Sequence, residues 1–242
     1  MDRTLTTQLK TALANASIPL PSASLITTLL STTPSPTLSR LTALARSQIL
    51  TSPLTAPSLL DPSVPAIPPH LLSPELRRAT LPADVPLQIV DIEDLSRSRW
   101  EQIEELERIE RGETRRGRAV VRVENEAEAE DRDRATQSAR DAPAPEARKA
   151  GGNATHRVTF MDRAGTRLYG LELVRMPRLG VGATKIGEKV VAKKGAVIAR
   201  GTLLLDPATC VFLGGYVEGE EEKWVAGRLK ALKEVVGATD PR

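Results

Sequence analysis

The sequence predicts an α+β protein in which a small three-helix bundle precedes a small antiparallel β-barrel. Leucine and isoleucine recur at helical spacing through the first 52 residues. Short segments typical of strands cluster after residue 154, and one more lies earlier, at 87–92. A long charged stretch, 93–153, separates that first strand from the others, which predicts a barrel with a large insertion.

Composition is that of an ordinary globular protein. Of the 242 residues, 40% are hydrophobic and 27% are charged, whereas only 2% are aromatic. The 34 basic and 31 acidic side chains leave a net charge of +3, which permits a nucleic-acid partner without requiring one. The single cysteine, Cys210, excludes an internal disulfide, and the sequence has neither an apolar leader nor an apolar run long enough to cross a membrane. We therefore expect an intracellular protein without a membrane role.

We divide the chain into four segments. Residues 1–52 form the bundle, with Ser22 as the expected cap of its second helix. Residues 53–86 are crowded with proline and form a packed linker, because proline removes backbone donors and disfavours helix before it. Residues 87–218 form the barrel with its insertion, 93–153, and residues 219–242 contain a closing amphipathic helix over 220–236.

The barrel prediction depends on about five short strands. After 87–92 come a hairpin of 156–161 and 167–174, then 189–192, then 196–205 with an interruption at Gly201, and finally 210–217. By alternation, Phe160 is expected in the core. Such a set fits an OB-fold, and an SH3-like barrel fits the same count, because strand order alone does not distinguish them.

The insertion has two parts. Ser98 and Glu101 form a capping-box pattern, an apolar residue follows at every third position from Trp100, and Gly112 ends the predicted helix. Successive steps of three drift by about 60° around a helix, so these side chains cover a broad arc. Residues 124–152 are acidic, arginine-rich and nearly without large apolar side chains, which predicts disorder in the free chain.

Three stretches carry a resemblance to a known family: LQIVDIEDLSRSRWEQIEELERIERGE, THRVTFMDRAGTRLYGLELVRMP and GTLLLDPATCVFLGGYV. In order and spacing they resemble the RecQ-mediated genome instability protein 1 family, particularly its short fungal members, over roughly 25–217. The resemblance implies a helical bundle followed by a five-stranded OB-fold with an insertion after the first strand. Animal members carry a second OB-fold that recruits a further subunit, and we do not expect that partner here.

The resemblance also implies a function without catalysis. Members of the family act in the nucleus as scaffolds for a RecQ helicase and topoisomerase III, promoting double Holliday junction dissolution, homologous recombination, DNA repair and genome stability. They bind topoisomerase III through the OB-fold, and the insertion reaches into the DNA gate of that enzyme. The partner-binding residues expected here are Arg97, Trp100, Ile103, Leu106, Ile109 and Arg111. From the residues alone, Trp100 is equally a core side chain packed on its own barrel or an interface anchor.

Enzymatic and cofactor sites find no support in the sequence. The glycine-rich run from Gly180 to Gly187 fails as a phosphate-binding loop, because Glu188 occupies the position that requires lysine. We expect these glycines to shape the connection before the 189–192 strand. The two histidines, His70 and His156, together with Cys210 cannot make a convincing zinc site or catalytic triad. We expect no enzyme activity and no cofactor.

The alternative function is direct binding of single-stranded DNA by the barrel, which normally combines a basic groove with aromatic stacking platforms. Aromatics are scarce, because the barrel region offers only Phe160, Tyr169, Phe212 and Tyr216, and Phe160 is expected in the core. A weak contact through basic side chains stays open, and so does a plain solvated surface. The candidate DNA contacts are Arg175, Arg178, Lys185, Lys189, Lys193 and Lys194.

Overall fold

The computed structural model describes residues 3–33, 37–112 and 154–237. The helices are α1 (Arg3–Asn15), α2 (Ala23–Thr32), α3 (Leu38–Thr51), α4 (Arg99–Glu110) and α5 (Glu220–Val236), with a short 3-10 helix at Pro69–Leu72. The strands are β1 (Ala79–Thr80), β2 (Val85–Asp94), β3 (His156–Asp162), β4 (Arg167–Glu172), β5 (Lys189–Ala192), β6 (Val197–Ala199), β7 (Thr202–Leu205) and β8 (Cys210–Gly214).

The first three helices pack around their own apolar core, as the leucine periodicity predicts. Leu9, Leu13, Leu41 and Ile49 are fully buried there, because their spacing places them on one face of each helix. The Ser22 hydroxyl accepts a hydrogen bond from the Leu25 amide at 3.1 Å, so the expected cap of α2 is present. The bundle is thus built from local sequence signals.

The strands form one curled sheet in the order β1-β6-β7-β4-β3-β2-β5-β8. All pairings are antiparallel except that of β4 with β7, which is parallel. The α+β class is as expected, and Phe160 is fully buried. The structure describes eight strands where the sequence indicated about five, from six segments. The difference from those six segments arises because 196–205 divides at the Arg200–Gly201 turn into β6 and β7, and because two-residue β1 was too short to recognise.

The proline-rich segment connects the two cores through buried contacts. Leu59 lies in the bundle core, whereas Ile67 and Leu71 lie in the barrel core. The fully buried carboxylate of Asp162 accepts hydrogen bonds from the Ile67 amide, at 2.9 Å, and from the Ala164 and Thr166 amides of the β3–β4 turn. This single side chain therefore fixes both the hairpin and the path of the linker across it.

Strand β2 extends beyond its predicted limits at both ends. It begins at Val85 rather than Leu87 and continues to Asp94, where it still pairs with His156 of β3. The β2–β3 register shifts between Ile89 and Asp91, so β2 bends there and can pair with both β3 and β5. The insertion between β2 and β3 consequently starts at residue 95, two residues later than predicted.

Helix α5 has the bounds that the sequence predicts and packs on the barrel. Trp224 Nε1 donates a hydrogen bond to Asp91 Oδ1 of β2 at 2.7 Å, and the Ile186 amide donates one to Glu221 Oε2 at 2.6 Å. Among the helices that the structure describes, none is both long and apolar enough to span a bilayer.

Candidate partner-binding surface

Helix α4 begins at the capping box that the sequence predicts. The Ser98 hydroxyl accepts a hydrogen bond from the Glu101 amide at 3.2 Å, and Glu101 Oε2 accepts one from the Ser98 amide at 2.9 Å. These two bonds satisfy backbone donors that a helix start leaves without partners. The helix direction is thereby set immediately after β2, through a turn in which Asp94 Oδ1 accepts the Ser96 amide.

A buried polar junction docks α4 onto the barrel. Gln102 Nε2 donates to the Asp94 carbonyl oxygen at 3.0 Å and to that of Arg97 at 3.2 Å. Gln102 Oε1 accepts a hydrogen bond from Arg228 NH2 of α5 at 3.0 Å, and Arg228 NH1 donates to the Ile92 carbonyl oxygen at 3.3 Å. The junction therefore joins β2, α4 and α5. Sequence reasoning missed it, because nothing local marks Gln102 or Arg228 as buried.

The rest of the α4–α5 contact combines apolar and charged groups. Ile103 is only 2% exposed, and Leu232 of α5 is also buried. Lys233 Nζ lies 2.9 Å from Glu107 Oε1, and this hydrogen bond holds the pKa of Glu107 below its ordinary value. Helix α4 is therefore attached along one side, which leaves its opposite side for solvent or a partner.

Trp100 lies on the solvent side of this attached helix. Its side chain is 56% exposed, and Leu95, which precedes α4, is also exposed. Leu95 lines a cleft of about 270 Å³ whose other lining residues include Glu93, Arg97 and Leu232. An exposed tryptophan on a capped and anchored helix resembles the anchor side chains of protein interfaces, which insert with little loss of conformational freedom. The helix packs on its own barrel, and the Trp100 side chain faces solvent instead of the core.

The structure separates the six predicted partner-binding residues. The prediction that Ile103 contacts a partner is corrected, because this side chain is buried within the chain and anchors α4. Leu106 and Ile109 are half-buried, whereas Arg97 and Arg111 are exposed and form ion pairs with Glu105 and Glu107. These residues differ in exposure because side chains three positions apart drift by about 60° around the helix at each step. The drift places Trp100 and Ile109 on opposite sides of α4.

Comparison with known proteins identifies the family. The family model described as RMI1, N-terminal OB-fold domain, matches residues 67–228. The chain belongs to this family. RecQ-mediated genome instability protein 1 of Schizosaccharomyces pombe is 32% identical over 149 residues, which are 59% of this chain and 60% of that protein. The chain thus spans about 60% of the length of this curated relative, and the family assignment favours the OB-fold over the SH3-like alternative.

Within this RMI1-family domain, four of the six predicted DNA contacts are tied into the fold. The prediction that Lys189 contacts DNA is corrected, because this residue is 1% exposed and its Nζ donates to the Gly187 carbonyl oxygen at 2.6 Å. Arg178 NH2 lies 2.5 Å from Glu188 Oε1, and Lys193 Nζ lies 3.0 Å from Asp84 Oδ2. Arg178 is nevertheless exposed, as are Lys185 and Lys194. The six do not form one solvent-facing strip.

Arg175, the remaining member, belongs to a half-buried network at the start of β3. Its NH1 donates to Glu172 Oε1 at 3.0 Å, and Glu172 Oε2 lies 3.0 Å from His156 Nδ1. Burial would raise the pKa of Glu172, but hydrogen bonds from the Met176 and His156 amides bring that pKa below its ordinary value. The network holds the chain where it re-enters the barrel from the insertion, which is a structural role.

The glycine-rich run before β5 shapes the backbone, as expected. Gly187 has a φ of 90°, and a Cβ there would lie 2.5 Å from the Val217 amide nitrogen. Across the described ranges, no group of three or more histidine, cysteine, aspartate or glutamate side chains could hold a metal ion. The predicted acidic segment 124–152 lies outside the described residues.

Proposed function

We propose that this chain is a non-catalytic scaffold of a complex between a RecQ-family helicase and topoisomerase III. In that role it promotes double Holliday junction dissolution and so supports homologous recombination, DNA repair and genome stability in the nucleus. The name of the S. pombe relative, a RecQ-mediated genome instability protein, and the shared OB-fold domain support this proposal. The one observation that carries it is the outward position of Trp100 on the anchored helix α4.

The anchoring matters because a scaffold must present its binding groups in a fixed geometry. Gln102 and Ile103 hold α4 against the barrel, so Trp100 meets a partner without a prior folding step. The insertion can influence a topoisomerase only through differential affinity for two states of its DNA gate. A segment that binds the open gate more tightly than the closed gate slows religation and favours passage of a second strand.

Trp100→Ala tests the binding surface. A buried tryptophan anchor contributes about 2 kcal/mol or more to an interface, so we expect binding of the full chain to cognate topoisomerase III to weaken by about 30-fold. Titration calorimetry measures this directly. Val235→Ala, which truncates another exposed apolar side chain on the neighbouring α5, is the matched control and should bind like the wild type. Equal affinities for Trp100→Ala and wild type would exclude α4 as the anchor.

A second variant separates binding from the proposed gate function. Replacing residues 113–153 with a short glycine-serine linker leaves α4 and its contacts with α5 in place. Deletion of 93–153, in contrast, would remove α4 itself. We expect topoisomerase binding to persist and junction dissolution by the reconstituted helicase–topoisomerase complex to fall severalfold. Unchanged dissolution would show that this segment has no part in the gate mechanism.

A further inference from the structure

A groove lies where the helical bundle, the proline-rich linker and the start of β2 meet, and we call it the junction groove. Its volume is about 310 Å³, at the lower end of the range for ligand sites. Its floor is apolar, because it consists of the nearly buried residues Ile18, Val64, Pro86 and Val191. Ala14, near the end of α1, is exposed and forms part of the wall. Such a floor offers a place to bury an apolar side chain of another molecule.

A lysine contact holds the two sides of the groove together. Lys193 Nζ, from the turn after β5, donates to Asp84 Oδ2 at 3.0 Å and to Ser17 Oγ at 3.2 Å. Ser17 follows α1 with a φ of 56°, a conformation that glycine usually supplies at the end of a helix. Serine is less favourable than glycine for this backbone, but its hydroxyl provides the contact with Lys193. The groove therefore has its shape before any ligand arrives.

Basic side chains surround the groove. Lys10 lies one helical turn before the wall alanine and so projects from the same face of α1. The Arg163 guanidinium donates to the carbonyl oxygen of Val64, and the Lys194 amide donates to Asp84 Oδ1 at 2.8 Å, which places both residues at the rim. Lys10, Arg163 and Lys194 form no ion pair with any described residue. The rim thus carries positive charge that the fold does not neutralise.

The carboxylates near the groove are already engaged. Asp84 Oδ2 pairs with Lys193, and Asp61 Oδ1 accepts hydrogen bonds from the amide and the hydroxyl of Ser63 at 2.9 and 2.7 Å. The sequence contains no aspartate or glutamate between Asp2 and Asp61, so the bundle side of the groove adds only basic charge. The charge around the groove therefore favours an acidic ligand.

The lining favours a protein ligand over a nucleic acid. In the described part of the chain, no aromatic side chain lines the groove, so a base would find no stacking platform there. An apolar floor inside a basic rim instead suits a peptide in which carboxylates flank an apolar side chain.

From these observations, we propose that the junction groove binds a short acidic segment of a protein partner. One aliphatic or aromatic side chain of the segment occupies the floor, and neighbouring carboxylates contact Lys10, Arg163 and Lys194. The groove adjoins the start of β2, whereas α4 follows the end of that strand, at most about 27 Å further along. The assignment therefore does not depend on the proposed topoisomerase complex.

Selection from a phage-displayed library of random peptides of about 16 residues tests the groove, with the full chain as bait. Ala14→Trp fills the groove from its wall and serves for counterselection. We expect the enriched peptides to carry aspartate or glutamate beside leucine, isoleucine or phenylalanine. In fluorescence anisotropy, a labelled synthetic copy should bind Ala14→Trp at least about tenfold more weakly than the wild type. Ala43→Trp, at an exposed alanine of α3 outside the groove, is the matched control and should bind like the wild type.

Charge reversal tests the rim. We expect Lys10→Glu/Lys194→Glu to weaken binding of the selected peptide about fivefold at low salt, and the difference to shrink as salt screens these charges. Arg40→Glu/Arg46→Glu makes the same change in net charge at exposed residues of α3 and should stay within about twofold of the wild type. Equal loss in the two double variants would show that the peptide responds only to overall charge, which would contradict the rim contacts.

Three further results would overturn the assignment: no enriched peptide, enrichment of basic peptides, or equal peptide binding by the wild type and Ala14→Trp. If no peptide were enriched and Ala14→Trp lost binding to labelled oligo(dT), a nucleic-acid ligand would replace the acidic peptide. Trp100→Ala leaves the groove intact, so it should bind the selected peptide like the wild type, whatever its affinity for topoisomerase III. This variant separates a failure of the groove from a failure of the α4 surface.

Discussion

Among single residues, burial decides which charged side chains can meet a partner. Lys189 lies in the 189–192 strand and reads from sequence as a surface cation, yet β5 is buried on both faces and the lysine with it. Arg167 and Arg200 were not among the predicted contacts, yet both reach solvent beside Tyr169. Alternation alone could have suggested Arg167, because it lies two residues from Tyr169 on the same strand face.

Lys189 makes stability depend on pH in a direction that can be tested. Burial lowers its pKa to about 8 from an ordinary value of 10.5, so between these values the unfolded chain binds more protons than the folded one. Folding stability attributable to this lysine therefore rises as the pH rises from about 8 towards 10.5.

Urea denaturation of wild type and Lys189→Met measures this contribution. Between about pH 7.5 and about pH 9.5, we expect the wild type to gain about 2 kcal/mol relative to the variant, which keeps the volume of the side chain without its charge. Parallel pH profiles for the two proteins would mean that Lys189 is not buried with a lowered pKa.

At the level of helices and strands, local signals predicted where α4 and α5 begin and end, but not which side of α4 faces inward. The Ser98–Glu101 capping box and the bounds of α5 follow from nearby residues alone. The inward side of α4 depends on Arg228, which lies 126 positions after Gln102 in the chain. Glu93 and Asp94 lack the alternation of a strand, and β2 includes them because β3 supplies paired partners.

The Gln102 junction predicts how firmly α4 is held. Gln102→Ala leaves Arg228 NH2 without this partner and removes two bonds to backbone carbonyls, a loss of about 1–3 kcal/mol. We expect tryptic cleavage after Arg108 to accelerate about tenfold, because cleavage requires the helix to open. Mass spectrometry of timed digests gives the rate.

Glu104→Ala is the control for this experiment. It removes an exposed ion pair with Arg108 on the same helix, which contributes between 0 and about 1 kcal/mol. If both variants were cleaved at the same rate, the buried junction would not be what secures α4.

Across the whole molecule, the bundle and the barrel are joined by close contacts. A Cβ at Gly215 would lie 2.5 Å from the Leu50 carbonyl oxygen of α3, and Leu213 packs against the bundle core. Glu93 lines two neighbouring clefts, the one beside α4 and a second one that contains Tyr169.

Hydrogen exchange measured by mass spectrometry on the full chain, with and without cognate topoisomerase III, tests the central claim most directly. If Trp100 and the solvent side of α4 form the binding surface, amides in residues 95–112 should exchange at least tenfold more slowly in the complex, because the partner suppresses opening of the helix. Unchanged exchange in 95–112, with protection at another surface of a complex that still forms, would contradict it.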